Sequence, residues 1–341
     1  MEKKKITAKT NGTTHVMLKP LFNFLRFKPD KSQVFKDIHD WKFEVIKGDL
    51  DKVPAILKIS HNFHRLGYFE ILNEIAADNL IKRFEHKSKK RAPHYRRVLL
   101  TGSDANYTWL AKEFVGSPFG VSYYVINPKF KKNQKQLVNK SFDELDRLQA
   151  IPFPEFQHFI PQRFPSVDTA TIERRLNRIY QGKHKKTLHF FLDNQRLLHE
   201  KKVFIHGDFI ISNMIVDHGI VYLTDFEFAS SDHPMADVAR LWKFSQLNPT
   251  IRSEIIKRYV KSKQDEKVFL VALARDLLYP LISYGRLGHK STSASGQFDK
   301  DSTIEAFQAI GGGLKNIIAL AEAQAQKYAP LEKQLIDPPY R

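Results

Sequence analysis

Three oxygen-bearing side chains in one stretch of this chain have the types and spacing to do chemistry together. They are Asp208 and Asn213, in Val203-Phe-Ile-His-Gly-Asp208-Phe-Ile-Ile-Ser-Asn213, and Asp225, in Leu223-Thr-Asp225-Phe-Glu227. Asn213 and Asp225 offer oxygen ligands that suit a hard ion such as Mg2+, which keeps several waters and completes its shell with phosphates. Asp208 is then left as a separate carboxylate to accept a proton from an attacking hydroxyl. Phosphoryl transfer divides its labour in this way, with an Asp, four residues, an Asn, and then a metal-binding Asp.

The elements that must position these residues are legible around them. The apolar runs Met214 to Val216 and Val221 to Leu223 flank Asp217-His218-Gly219-Ile220, and turn residues between β-formers predict a hairpin. The open end of that hairpin holds Asn213 before its first strand and Asp225 after its second. Asp208 lies on a loop after the apolar run Val203 to Ile205. Register decides whether the side chains meet, because a one-residue slip reverses every face. Singly, an Asp or Asn beside a turn is ordinarily turn chemistry; the order of all three carries the reading.

His206-Gly207-Asp208-x-x-x-x-Asn213, then Asp225-Phe226-Glu227, then Pro234-x-x-Asp237-Val238-Ala239, resembles the aminoglycoside phosphotransferase and choline kinase superfamily of small-molecule kinases with a protein-kinase-like fold. The matching block covers about 203–241. Gly207 stands where the protein-kinase version has Arg, which favours a small-molecule enzyme. The resemblance implies an α+β, two-lobe fold. Its nucleotide-binding lobe, 1–115, is built on a small antiparallel sheet, and its larger, mainly helical catalytic and substrate-binding lobe is 116–341. It implies ATP and Mg2+ in the cleft between lobes, and transfer of the γ-phosphoryl group to a hydroxyl of a small molecule such as an aminoglycoside, choline, ethanolamine, homoserine or a sugar. By the same resemblance His206 braces the catalytic loop and Asp237 bonds loop backbone. Glu227 stays open between a second metal and water.

The N-terminal third carries weaker matches. Trp41 to Ile46 and Pro54 to Ile59 read as a hairpin turning at Lys47-Gly48-Asp49. Leu66 to Phe84 steps apolar residues at helical spacing, with Glu70 and Glu74 on one face. A strand lysine followed by a glutamate on the next helix is the kinase arrangement, so the resemblance assigns Lys58 to the nucleotide phosphates and Glu74, or failing it Glu70, to fixing that lysine. A surface lysine and a solvated helix face are the plain alternative. Arg97 to Thr101 and Tyr107 to Phe114 read as a second hairpin. The Glu113-Phe114-Val115-Gly116 run after it resembles the connector between lobes, where backbone groups of Glu113 and Val115 would hold adenine. A Gly-rich phosphate loop is missing: residues 1–100 contain only Gly12, Gly48 and Gly67. That gap keeps a pseudokinase or nucleotide-binding regulator as an alternative.

Composition sets the outer bounds. At 341 residues and 42% apolar, with 26 Phe, the chain can bury a large core. It has no cysteine, which excludes disulfides, thiolate metal sites and a Cys nucleophile. Met-Glu-Lys-Lys-Lys-Ile lacks a following apolar core, and no run approaches a membrane span, so a soluble cytoplasmic protein is expected. The net charge of +18 favours an anionic partner. Its basic clusters, 87–97, 129–135 and 183–186, make a nucleic-acid-binding protein the second, weaker alternative.

The remaining chain reads as helices at Ser141 to Leu148, Asp168 to Tyr180, Thr187 to Leu198, Val238 to Phe244, Ile251 to Tyr259, Val268 to Tyr284 (with a kink at Pro280) and Ile304 to Tyr328. Ser291 to Gly296 reads as a linker, and Gly311-Gly312-Gly313 as a helix break. Asp276, Tyr279, Tyr284 and Arg286 are the C-terminal candidates for contacting an acceptor, a mixed set that selects no substrate class.

Overall fold

Alternation of apolar and polar residues builds one antiparallel sheet in the N-terminal third. A computed structural model describes residues 11–36, 44–62, 65–88, 91–152, 169–283 and 294–335. The chain divides into two units, 1–71 with 96–115, and 72–95 with 116–341.

The first unit contains α1 (Asn11–Leu25) and strands β1 (Phe27–Lys36), β2 (Glu44–Leu50), β3 (Val53–His61), β4 (Val98–Ser103) and β5 (Tyr107–Glu113), in the spatial order β1-β2-β3-β5-β4. Ala55, Leu57 and Ile59 take one face of β3 and pack with Leu18, Phe22 and Leu25 of α1, as a period of two requires. Lys58, between them, faces the other side and is itself buried. The residues before 41 had no assignment from sequence. Phe22, Leu25 and Phe27 are buried there, whereas Phe24 is 77% exposed.

The first hairpin turns later than the sequence predicts. Its turn is Asp51-Lys52, with φ of 47° and 71°, between Leu50 and Val53, which pair. Gly48 is inside β2 instead, opposite Pro29 of β1. A Cβ there would come within 2.3 Å of the Lys28 carbonyl oxygen. The glycine answers a close strand crossing, not a turn. Residues 41–43 of the predicted first strand lie outside the described residues.

Helix α2 (Arg65–Lys87) begins in the first unit and continues in the second. The second unit adds β6 (Ser117–Pro118), α3 (Gln134–Gln149), α4 (Thr169–Tyr180), α5 (Lys185–Asn194), β7 (Val203–Ile205), β8 (Met214–Asp217), β9 (Ile220–Leu223) and β10 (Ser230–Asp232). Helices α6 (Met235–Lys243), α7 (Pro249–Tyr259), α8 (Lys263–Ser283), α9 (Ala294–Ile310) and α10 (Gly313–Tyr328) complete it. Two small sheets, β6-β8-β9 and β10-β7, sit among the helices. Phe142 and Leu145 of α3, Trp242 of α6 and Phe269 and Leu273 of α8 belong to one core. The helical stretch predicted from Ile304 to Tyr328 is two helices that break at Gly311 and Gly312, as the run of glycines predicts, whereas α9 already includes Ala294 to Gly296 of the predicted linker. Helix α8 runs on through Pro280. Asp168, the start of the helix predicted up to Tyr180, lies outside the described residues. Among the described residues, no helix is long and apolar enough to cross a membrane.

Candidate active site

Register brings the open end of the β8–β9 hairpin together. Met214 pairs with Leu223 and Asp217 with Ile220. The turn residues His218 and Gly219 both have positive φ, 46° and 75°, as a two-residue turn matched to strand twist requires. At the other end the Thr224 N–H donates to the Asn213 carbonyl at 3.1 Å. Asp225 follows at φ 69°, ψ 61°, a left-handed conformation that a residue with a side chain keeps only where its surroundings hold it. Asn73 of α2 supplies such a hold on the next turn: its amide nitrogen donates to the carbonyls of Phe226, Glu227 and Ala229 at 3.2, 3.0 and 2.8 Å.

The loop after β7 is fixed from several directions. β10 returns the chain to pair with β7, Ser230 opposite Ile205. Gly207 has φ +78°, and a Cβ there would lie 1.9 Å from the Phe228 carbonyl oxygen, so no other residue fits. Asp237, at the start of α6, accepts the His206 N–H at 2.9 Å and the Gly207 N–H at 2.8 Å on its two carboxylate oxygens. His206 is fully buried. Its Nε2 meets the Thr224 carbonyl at 2.9 Å, and its Nδ1 accepts the Asp208 N–H at 3.3 Å. Burial pushes its pKa down, against the opposing pull of Asp237, Asp208, the Thr224 carbonyl and Asp225. A neutral ring with one donor and one acceptor nitrogen suits both of these contacts.

Asp208 is gripped at both oxygens. Oδ2 accepts from Asn213 Nδ2 at 2.8 Å, and the same Nδ2 donates to the Asp208 carbonyl at 3.0 Å. Oδ1 accepts from Arg240 Nε at 2.8 Å and Nη2 at 2.6 Å. With its nitrogen committed to Asp208, Asn213 presents its amide oxygen, the atom a cation would take. Asp276 was a sequence candidate for contacting an acceptor, but it accepts from Arg240 Nη1 at 3.1 Å and lies 3.5 Å from Lys243 Nζ. Burial opposes the charge on Arg240, yet Asp208 and Asp276 outweigh it and hold the guanidinium above its ordinary value. Nothing is described of the Tyr279 side chain, and Tyr284 and Arg286 lie outside the described residues.

Carboxylate oxygens of Glu74, Asp225 and Glu227 all lie within 4.8 Å of one another, with Glu74 buried and the other two partly so. Three acids this close repel unless cations balance them. The three carboxylates form an all-oxygen donor set, and that chemistry fits Mg2+. Glu74 is thus placed beside Asp225 in the second unit. Lys58 is buried on β3 of the first unit, opposite Val45 and Leu110. Glu113 closes β5 opposite Ala55, with its N–H on the Arg97 carbonyl at 3.1 Å. The Val115 carbonyl accepts from Arg96 Nη2 at 3.4 Å.

Asn73 and Arg240 escaped sequence reading. Asn73 sits unremarked between Glu70 and Glu74, with no signal of a partner more than 150 residues away. Arg240 had one usable signal: it lies three residues beyond Asp237 and so shares its helix face.

A model of the phosphotransferase enzyme family (APH) matches residues 89–267. No curated protein matches the chain. Among solved structures, a thermostable mutant of aminoglycoside phosphotransferase APH(4)-Ia in ternary complex with ADP and hygromycin B is similar at 13% identity and TM-score 0.55, covering 84% of this chain and 97% of that one. Choline kinase LicA from Streptococcus pneumoniae is similar at 13% identity and TM-score 0.55, covering 87% and 99%. Spectinomycin phosphotransferase APH(9)-Ia, with ADP and spectinomycin, is similar at 14% identity and TM-score 0.54, covering 91% and 98%.

Proposed function

Because the chain belongs to the phosphotransferase enzyme family, whose model spans more than half of its 341 residues, we propose that this small-molecule phosphotransferase moves the γ-phosphoryl group of ATP, with Mg2+, to a hydroxyl of a small acceptor. The observation that carries this reading is the single hydrogen-bonded unit that holds Asp208, Asn213 and the backbone leading into Asp225. Solved structures of the same fold contain ADP, which supports the choice of nucleotide.

In this reading Asp208 orients the acceptor hydroxyl and takes its proton as the new O–P bond forms. Asn213 keeps Asp208 in place with its amide nitrogen and offers its oxygen to the ion. Asp225 is the second ligand, and Glu227 and Glu74 add negative charge beside it. Asn213 and Asp225 would hold Mg2+, which would supply positive charge against the negative charge that develops on the phosphates. Lys58 supplies a cation for the nucleotide phosphates, and backbone groups of Glu113 and Val115 hold the base. His206 and Asp237 keep the loop in shape without touching substrate.

The test is a screen of hydroxyl acceptors with Mg·ATP, followed by two variants on any hit. Asp208→Asn is expected to abolish transfer while ATP still binds; equal turnover by the variant refutes its role. Asp225→Ala is expected to weaken Mg·ATP binding at least tenfold, and an unchanged affinity removes Asp225 as a ligand.

A further inference from the structure

Helix α6 carries charged residues at three-residue steps: Asp237, Arg240 and Lys243. Such positions share a face. Asp237 takes the backbone N–H groups of His206 and Gly207, and Arg240, one turn on, takes the side chain of the next residue, Asp208. One helix therefore grips three successive residues of the catalytic loop. The grip is braced from α8. Arg240 Nη1 donates to Asp276 Oδ1, and Lys243 Nζ donates to the Asp276 carbonyl at 3.1 Å. The side chains are little exposed: Arg240 15%, Asp208 13%, Asp276 13% and Lys243 2%.

We propose that Arg240 is a positioning residue for Asp208, and that Asp276 positions Arg240. This rests on the phosphotransfer reading above. Nε and Nη2 of Arg240 converge on Oδ1, while Asn213 holds Oδ2. A carboxylate held at both oxygens cannot turn about its terminal torsion. Each of its oxygens has two lone pairs, so an acceptor hydroxyl still finds a site on it. Only a planar, multi-donor group can place two N–H bonds on one carboxylate and a third on another; a lysine in this place gives a point charge without the fork. An ion pair that merely ties α6 to α8 would leave the aim of Asp208 indifferent to Arg240. A positioning residue would not, and a base displaced by about 1 Å costs about a hundredfold in rate.

The experiment uses the full chain and the variants Arg240→Gln, Arg240→Lys and Asp276→Asn. The first readout is the crystal structure of each variant without nucleotide or acceptor. In Arg240→Gln the Asp208 carboxylate is expected to leave its place and its contact with Asn213 to open. A carboxylate within ~0.5 Å of its present position, with that contact intact, overturns the proposal whatever the activity. The second readout is turnover of Mg·ATP with an acceptor from the screen. Arg240→Gln is expected to lower kcat about a hundredfold with KM for ATP unchanged, Arg240→Lys to recover part of it, and Asp276→Asn to lose less. Wild-type kcat in Arg240→Gln overturns the proposal, as does a loss confined to KM for ATP. If Arg240→Gln does not fold, the other two variants carry both readouts, and unchanged kcat with an unmoved Asp208 in both is the refuting result. A wild-type chain that phosphorylates no acceptor removes the functional reading, while the crystal structures still decide the role of Arg240.

Discussion

Replacing Asp237 by Asn changes one atom and should cost a large share of the stability of the second unit. The side chain is 1% exposed. Its two oxygens each accept one backbone N–H, from His206 at 2.9 Å and Gly207 at 2.8 Å. An amide keeps one acceptor and turns its NH2 towards the other N–H. Two buried donors then face each other, and each unsatisfied buried polar group costs about 1–3 kcal/mol. The surviving bond also falls from charge-assisted to neutral, a further loss of about 1 kcal/mol. The sum is about 3–7 kcal/mol, against a typical native stability of about 5–15 kcal/mol. The assay is urea-induced unfolding of wild type and Asp237→Asn, followed by far-UV circular dichroism and by the fluorescence of Trp242, which is buried on the same helix. A marked fall in the midpoint is expected. An unchanged midpoint refutes the claim that Asp237 ties α6 to the loop, and with it the reason given for this acid so close to the site.

Two further outcomes follow from single features of the same region. Gly207→Ala puts a methyl group against the Phe228 carbonyl at a left-handed φ, so a loss of at least ~3 kcal/mol in urea unfolding is expected; a soluble variant with the wild-type midpoint contradicts the geometry. Burial lowers the pKa of His206, and lowers that of His233 to about 4. The unfolded chain therefore takes up protons near pH 6.5 that the folded chain refuses. Stability should be flat above pH 6.5 and fall as the pH drops towards 4. His233→Asn, which keeps an acceptor for the Met235 N–H, should show a shallower fall; identical profiles would remove His233 from the account.

How much of this was visible in the chain depends on how local its cause is. The β8–β9 hairpin was legible because Asp217, His218 and Gly219 make a turn by their own backbone preferences. Strand pairing then follows from that turn, and so does the meeting of Asn213 with Thr224. The first hairpin was misplaced because Gly48 has a cause outside its own strand, the approach of the Lys28 carbonyl. The real turn, Asp51-Lys52, has no glycine although both residues adopt positive φ, so it gave no composition signal. Phe24 is exposed although Phe22 and Leu25 are buried, because a helix sends neighbouring residues to different faces. Asn73, Arg240 and Asp276 act on partners far along the chain, and no local pattern marks such pairs. Asp276 shows the consequence: as a bare residue it is a candidate for binding a cationic acceptor, and as a folded one it is committed to Arg240.

The contacts around Asp208 close on themselves, and closure has a measurable consequence. From α6, Asp237 holds the His206 N–H; the His206 ring reaches the Thr224 carbonyl; the Thr224 N–H reaches the Asn213 carbonyl; Asn213 holds Asp208; and Arg240 returns from Asp208 to α6. A carboxylate placed by a closed ring has its orientation fixed before any ligand arrives, which is how preorganised sites avoid reorganising during a reaction. A ring also distributes damage. Once one link opens, the next is already slack, so opening it costs less. Asp237→Asn and Arg240→Gln, which open different links, should therefore be less than additive in urea unfolding, with a coupling of about 0.5–3 kcal/mol. Asp237→Asn combined with Arg258→Ala is the control, since Arg258 pairs with Asp143 and Asp146 at the surface, outside the ring. That pair should add within about 0.5 kcal/mol. Additivity in both double variants would mean that the contacts are independent neighbours and that Asp208 is aimed by Asn213 and Arg240 alone.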